Sequence, residues 1–307
     1  MSQPIVKVDH VSHRYSVQWA VRDIDFEIPH NGIYGLLGSN GAGKSTIMNI
    51  ICGVLKQSEG KVFIKGIDLE KNPVEAKKHI GFLPQKPPLQ IDLTVEEYLR
   101  YSAGLRSIPH REVSRAVGKV MERCGITHFR KRLIRNLSGG YQQRIGVAQA
   151  IIHNPDFVVL DEPTNGLDPN QILEIRHLVR EIAQDRTVIL STHILSEVQA
   201  VCDYIRMIEH GQLVFAGTMD EFDSYIVPDT LFVSLATCPP VGELQSLLGV
   251  ISVEELGGPD YRVQFKDARE VTDQIVRTSV ERDWNLTEIR VEKSSMNAIF
   301  SELSKKD

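Results

Sequence analysis

The sequence predicts an α/β protein, a mixed sheet covered by helices, with a helical insert and a small α+β domain appended. Three observations carry this reading. The apolar strand Ile33 to Leu37 runs into a glycine-rich turn, Gly38-Ser-Asn-Gly-Ala-Gly-Lys-Ser45, and then into a helix. A second apolar strand, Phe157 to Leu160, ends in two carboxylates, Asp161 and Glu162. From Pro228 onward the pattern changes to short strands and helices in the order βαββαβ.

Element by element, Val6 to Ile28 alternates short β-type runs with polar turns, and Thr46 to Leu55 reads as a buried helix carrying Ile47, Ile50, Ile51 and Val54. Residues 86–136 lose β character and form a helical insert, with Val95 to Leu105 and Val113 to Cys124 as its periodic stretches. The strands then resume with Phe157 to Leu160, Thr187 to Leu190, and a hairpin from Tyr204 to Phe215 turning at His210-Gly211. Fully apolar strands suit a mostly parallel sheet covered on both faces. A short amphipathic helix follows Gly217, and Pro228 marks the expected boundary between a domain of residues 1–227 and one of residues 228–307.

In that tail Leu231, Val233 and Leu235 alternate as a strand, and Val241 to Leu248 reads as a helix. Ile251 to Leu256 and Tyr261 to Phe265 are strands joined by Gly257-Gly-Pro-Asp260. Val271, Ile275 and Val280 suggest a helix, Ile289 and Val291 a strand, and Met296, Ile299, Phe300 and Leu303 a closing helix. This order is that of a ferredoxin-like domain.

Composition excludes several classes of function. With 42% hydrophobic and 24% charged residues the chain can bury a core, so disorder is not its main state. Four scattered cysteines without a CxxC pair argue against a disulfide framework or a zinc site and read as buried thiols. The net charge of −5 and the absence of a basic run exclude the electrostatic footprint of a nucleic-acid binder. That charge falls in the tail, where 14 acids face 9 bases from Pro228 onward, against 26 of each before it. The first residues show no basic start with an apolar stretch, so no secretory signal is expected. No apolar run reaches the roughly 18 residues of a membrane-spanning helix, so any membrane role is borrowed from a partner.

The turn from Gly38 to Ser45 matches the phosphate-binding pattern GxxxxGK[ST] in the context that gives it meaning, after a strand and opening a helix. Glycines let successive N–H groups turn onto phosphate oxygens, and the helix N-terminus adds its dipole. Lys44 then reaches the β- and γ-phosphates, and the Ser45 hydroxyl supplies a ligand for Mg²⁺. Gly38, Ser39, Asn40, Gly41, Ala42, Gly43, Lys44, Ser45 and Thr46 are the nucleotide-binding candidates. A strand buried on both faces delivers its first polar residues to the C-terminal edge of the sheet. Asp161 would orient the Mg²⁺ shell there, and Glu162 would position or deprotonate the attacking water.

Leu137-Ser-Gly-Gly-Tyr-Gln-Gln-Arg144 resembles the LSGGQ signature of ATP-binding-cassette (ABC) proteins, with Tyr141 where the family usually has glutamine. Ser138, Gly139 and Gly140 offer a hydroxyl and exposed N–H groups at a helix start, a second phosphate cradle. The resemblance covers about residues 5 to 225 and implies further roles. Tyr15 looks like the aromatic on which adenine stacks, and Gln85 like the glutamine that senses Mg²⁺ and the attacking water. Gly166-Leu-Asp168 looks like the loop through which two subunits touch, and His193 like the histidine on the γ-phosphate.

The family's nucleotide lies between the phosphate loop of one subunit and the signature of another, which implies a homodimer, or a heterodimer with a similar cassette. It also implies a separate transmembrane permease, with this chain peripheral on the cytoplasmic face of the cell membrane. The stretches Gly38 to Thr46 and Gly81 to Leu99, with a tail of this length, resemble single-cassette ATPases of bacterial ABC-2-type exporters. An importer ATPase with a ligand-binding tail, and a non-transport cassette acting as an ATP-dependent switch, are the alternatives. The tail reads either as a dimerisation module or as a ligand sensor.

Overall fold

The computed structural model describes residues 3–225, 229–292, 299–300 and 302–303. It divides into two compact units that meet between Met219 and Asp220. The boundary expected at Pro228 lies outside the described residues.

The first unit opens with two long antiparallel strands, β1 (Val6–Tyr15) and β2 (Gln18–Ile28). β3 (Gly32–Leu37) leads through the glycine-rich turn into α1 (Lys44–Ile51). β4 (Glu59–Ile64) and β5 (Ile67–Asp68) return to β1 and complete a sheet ordered β2-β1-β4-β5. α2 (Pro73–Lys78) precedes β6 (Ile80–Leu83), and three helices that pack on one another follow: α3 (Val95–Leu105), α4 (His110–Arg123) and α5 (Gly139–Ile151). The chain then alternates through β7 (Phe157–Asp161), α6 (Pro169–Ala183), β8 (Thr187–Ser191), α7 (Leu195–Val201), β9 (Tyr204–Glu209) and β10 (Gln212–Thr218). The second sheet has the order β10-β9-β3-β8-β7-β6, parallel throughout except where β10 pairs with β9.

Every residue of β7 and β8 is buried, as strands covered on both faces require. One buried cluster joins Val8, Val11 and Val62 of the antiparallel sheet, Ile47, Met48 and Ile51 of α1, and Tyr34, Phe157, Val159 and Ile189 of the mixed sheet. α3 starts where its sequence predicts because Thr94 and Glu97 form a reciprocal capping box. The β9–β10 turn has His210 at φ 48° and Gly211 at φ 77°, the left-handed pair that two-residue hairpins need.

The structure corrects some boundaries. α1 stops at Ile51 because Gly53 turns left-handed at φ 64°, which leaves Val54 exposed rather than buried. α4 begins at His110, three residues before Val113, where Pro109 at φ −53° turns the chain into the helix. Cys52, Cys124 and Cys202 are buried thiols, but Cys238 is exposed.

The second unit starts within α8 (Met219–Asp223). It continues as β11 (Thr230–Leu235), α9 (Val241–Gln245), β12 (Val250–Gly257), β13 (Asp260–Phe265), α10 (Ala268–Glu281) and β14 (Leu286–Glu292). Its sheet is antiparallel with the order β12-β13-β11-β14, the ferredoxin-like arrangement. Leu231, Val233, Tyr261 and Val263 bury one face of the sheet against Leu244 of α9 and Val271 and Ile275 of α10. α9 ends at Gln245, short of the expected Leu248, which is exposed, and Val280 on α10 is exposed as well. Ile299 and Leu303 are helical and buried; Met296 lies outside the described residues.

Ile275 is fully buried, so Ile275→Ala is expected to destabilise the tail by about 2–5 kcal/mol. The chain has two tryptophans, so Trp284 fluorescence in a Trp19→Phe background reports that transition during urea unfolding.

His153, just after α5, donates its Nε2 hydrogen to the Ile80 carbonyl at 3.0 Å, while its buried Nδ1 has no partner among the described residues. Burial, aided by Arg106 and Arg186, lowers its pKa from the usual 6.5 to about 4. The unfolded chain therefore takes up this proton first as pH falls. The stability tied to neutral His153 is complete above pH 6.5 and is lost on descent toward pH 4. Between pH 8 and 5 the wild type should lose about 2 kcal/mol more than His153→Gln in parallel denaturation series.

Candidate active site

The glycine-rich turn is held open by close backbone approach. A Cβ on Gly38 would lie 2.1 Å from the Ile208 carbonyl oxygen, and one on Gly43 would lie 2.7 Å from that of Ala20. Their φ angles of 155° and 109° add a second reason for glycine at both positions. Lys44 is buried and donates from Nζ to the carbonyls of Gly38 and Ser39, each at 2.8 Å. Burial pulls its pKa below the ordinary lysine value, and the charges of Glu162, Glu209 and Asp161 push back. Ser45 is exposed and Thr46 half-buried at the start of α1.

Asp161 ends β7, buried, with one carboxylate oxygen accepting from the Ser191 hydroxyl. Glu162 follows at φ 46°, an uncommon conformation for a residue with a side chain. Its N–H is held by the Ser191 hydroxyl at 3.1 Å and the Ser191 carbonyl at 3.2 Å. Three donors meet its carboxylate: Gln85 Nε2 at 2.8 Å and Asn165 Nδ2 at 3.2 Å on one oxygen, and His193 Nδ1 at 2.9 Å on the other. Gln85, Glu162 and His193, which are far apart in sequence, thus form one hydrogen-bonded group.

Tyr15 is exposed at the tip of the β1–β2 hairpin, with the His13 ring packed edge-on at 4.8 Å. Ser138 and Gly139 are exposed at the start of α5. Gly140 is buried beside Gln171 of α6, and Gly139 lies next to Leu167. The signature stretch therefore sits against the Gly166–Asp168 loop, where Asp168 caps α6. No hydrogen bond joins Ser138–Gly140 to the phosphate loop among the described residues.

Sequence reasoning missed Glu209, Ser191 and Asn165. Glu209 accepts from the N–H and hydroxyl of Ser39, each at 2.6 Å. Its one sequence signal was a carboxylate ending the otherwise apolar run Met207-Ile208.

The residues suit a phosphate ester and a hard divalent cation. Exposed Ser45 and Gln85 offer oxygen ligands, and Asp161 has an oxygen without a hydrogen bond among the described residues. No cluster of three or more histidine, cysteine or acidic side chains could hold a metal unaided among the described residues, which fits Mg²⁺ bound largely through water and substrate phosphates.

A phosphate loop feeding a helix, and a strand-end carboxylate pair beside it, define a P-loop nucleotide hydrolase. The family model described as ABC transporter matches residues 21–165. The chain is 36% identical over 212 residues to the bacitracin transport ATP-binding protein BcrA of Bacillus licheniformis, covering 68% of each chain. It is 28% identical over 310 residues, 98% of both chains, to the linearmycin resistance ATP-binding protein LnrL of Bacillus subtilis. The solved structure of cbiO1 from Clostridium perfringens, part of an ABC transporter complex, superposes with a TM-score of 0.65 at 29% identity, covering 71% of this chain and 90% of that one. The chain belongs to the ATP-binding subunits of ABC transporters and is an ABC ATPase.

Glu162→Gln is expected to retain ATP binding and to lose about 10²- to 10⁴-fold in turnover, measured by phosphate release alongside equilibrium dialysis. Wild-type turnover in that variant would remove Glu162 as the base.

Proposed function

We propose that the chain is the ATP-hydrolysing motor of an ABC-2-type exporter, acting as a dimer on the cytoplasmic face of the cell membrane beneath a separate permease. The observation that carries the catalytic part is the convergence of Gln85, Asn165 and His193 on the Glu162 carboxylate. The exporter part is supported by relatives named for bacitracin transport and linearmycin resistance, the second matching this chain over its tail as well as its cassette. Among the described residues no helix is long and apolar enough to cross a membrane, so the path for cargo comes from a partner.

In this reading Tyr15 stacks on adenine, and the N–H groups of Gly41 and of Gly43 to Thr46 face the phosphates. Lys44 leaves the two carbonyls it now holds for the β- and γ-phosphates. Ser45, Asp161 and Gln85 would hold Mg²⁺, which when bound offsets phosphate charge. Glu162 takes the proton of the attacking water. Gln85 and Asn165 fix that carboxylate from one side and His193 from the other, so the base is oriented before substrate arrives. Ser138, Gly139 and Gly140 contact the nucleotide held by the partner subunit, and two-fold symmetry then gives two equal sites. Loss of the γ-phosphate removes contacts from both subunits at once, which biases opening of the dimer.

The test is purification of the tagged chain from its native cell with its membrane partners, assaying ATP turnover with and without them. A multi-helix permease that stimulates turnover, in cells whose export of a labelled compound stops when the gene is deleted, is the expected result. Soluble partners only, with turnover indifferent to membranes, would overturn the transporter assignment.

A further inference from the structure

The phosphate loop is braced from one direction by the tip of the β9–β10 hairpin. Ile208 places its carbonyl against Gly38, Glu209 takes both the N–H and the hydroxyl of Ser39, and the Gly211 N–H donates to the Ala42 carbonyl at 3.1 Å. The Gly211 carbonyl accepts from the Arg22 N–H at 2.7 Å, which ties the same turn to the strand after Tyr15. The end of β9 and the turn that follows it thus touch the loop at its first, second and fifth positions, and the turn also touches the hairpin that carries the adenine candidate.

Glu209 is the unusual member. It is 3% exposed, and a carboxylate is buried at this depth only when its charge is compensated. Both of its oxygens are used, each by a 2.6 Å bond to the same residue, and the Lys44 ammonium supplies the opposite charge. Charge-assisted bonds of this length are about twice as strong as neutral ones. The Ser39 N–H is consumed by Glu209 and the Ala42 N–H by the Ser39 carbonyl at 3.2 Å, so neither faces phosphate, while the N–H groups of Gly41 and Gly43 are left for the nucleotide.

We propose that Glu209 is the positioning residue of the phosphate loop: its carboxylate clamps Ser39, fixing the first turn of the loop in its nucleotide-receiving shape before ATP arrives. This rests on the nucleotide-binding reading of Gly38 to Thr46. Without the clamp, the first turn closes onto its own carbonyls or samples other shapes, and each binding event must reorder it. The cost appears in ATP affinity, because the base group around Glu162 does not touch Glu209.

The experiment uses the full-length chain with Glu209→Ala, Glu209→Gln, Ser39→Ala and the double variant Ser39→Ala/Glu209→Ala. The measurements are KM and kcat for ATP, the ATP dissociation constant by equilibrium dialysis, and thermal melting without nucleotide. Glu209→Ala should raise KM and the dissociation constant about tenfold with a smaller change in kcat, the scale of one lost charge-assisted interaction. Glu209→Gln keeps one acceptor oxygen and should fall between it and wild type. Adding Ser39→Ala to Glu209→Ala should cost nothing more, since the partner is already gone.

Wild-type KM in both Glu209 variants would overturn the proposal, as would a fall in kcat at unchanged KM, or a lowered melting temperature without an affinity change. If Glu209→Ala does not fold, Glu209→Gln decides by the same criteria. Lys44→Ala separates the two levels: if it too binds ATP normally, the reading of the loop itself fails; if it loses ATP while the Glu209 variants do not, only the clamp fails.

Discussion

Three parallel strands in register hold the candidate site together. Leu83 of β6 lies opposite Leu160 of β7, Leu160 opposite Leu190 of β8, and Asp161 opposite Ser191. β7 and β8 therefore end opposite each other, at Asp161 and Ser191, one residue beyond the level at which β6 ends. Gln85 and Glu162 stand two residues beyond their aligned leucines, and His193 two beyond Ser191, so their meeting is a consequence of strand register. The register is fixed by burial. Each apolar side chain of β7 and β8 is worth about 1.5–3 kcal/mol to bury, and a one-residue slip would draw Asp161 further into the core and expose an apolar neighbour.

Much of this was legible because the chemistry restricts residue type. A loop that must bring backbone against phosphate needs glycine, and a carboxylate pair at the end of an apolar run needs a sheet edge; both are readable in one dimension. Glu209 was not legible, because its partner Ser39 is reached only through the pairing of Leu37 with Met207, a contact between distant segments that no periodicity announces. Read locally, it is a polar residue before a turn. The errors at Val54, Leu248 and Val280 have a simpler origin. Apolar spacing indicates which residues could line a helix face, but where the helix ends is set by a left-handed glycine such as Gly53, and how far the core reaches is set by what packs on it.

Tyr141 shows how a departure from the family pattern is absorbed. Its ring packs edge-on against Phe129 at 4.5 Å and against His128 at 6.0 Å, and the Arg132 guanidinium lies over the Phe129 ring at 5.5 Å. Gln142 takes up the polar work nearby, donating to the carbonyls of Leu137 and Ile134. An aromatic in place of glutamine thus trades a hydrogen-bonding side chain for an apolar anchor into the turn Thr127–Phe129. Ser138 and Gly139 remain exposed at the start of the helix. The departure changes how the stretch is fastened without burying either residue.

The charges around Lys44 explain why such a site belongs with a divalent cation. One ammonium, already partly desolvated, faces Asp161, Glu162 and Glu209. A polyphosphate entering beside them brings further negative charge close to three carboxylates, and like charges at short range repel. Lys44 cannot offset all of it, since its own charge already compensates the carboxylates. In the proposed reading a second cation, held by phosphate and by the Asp161 oxygen not engaged by Ser191, would restore the balance. A loop shaped by glycines and braced by Glu209 provides geometry; in the proposed reading the excess of carboxylates would couple the binding of nucleotide to that of the metal.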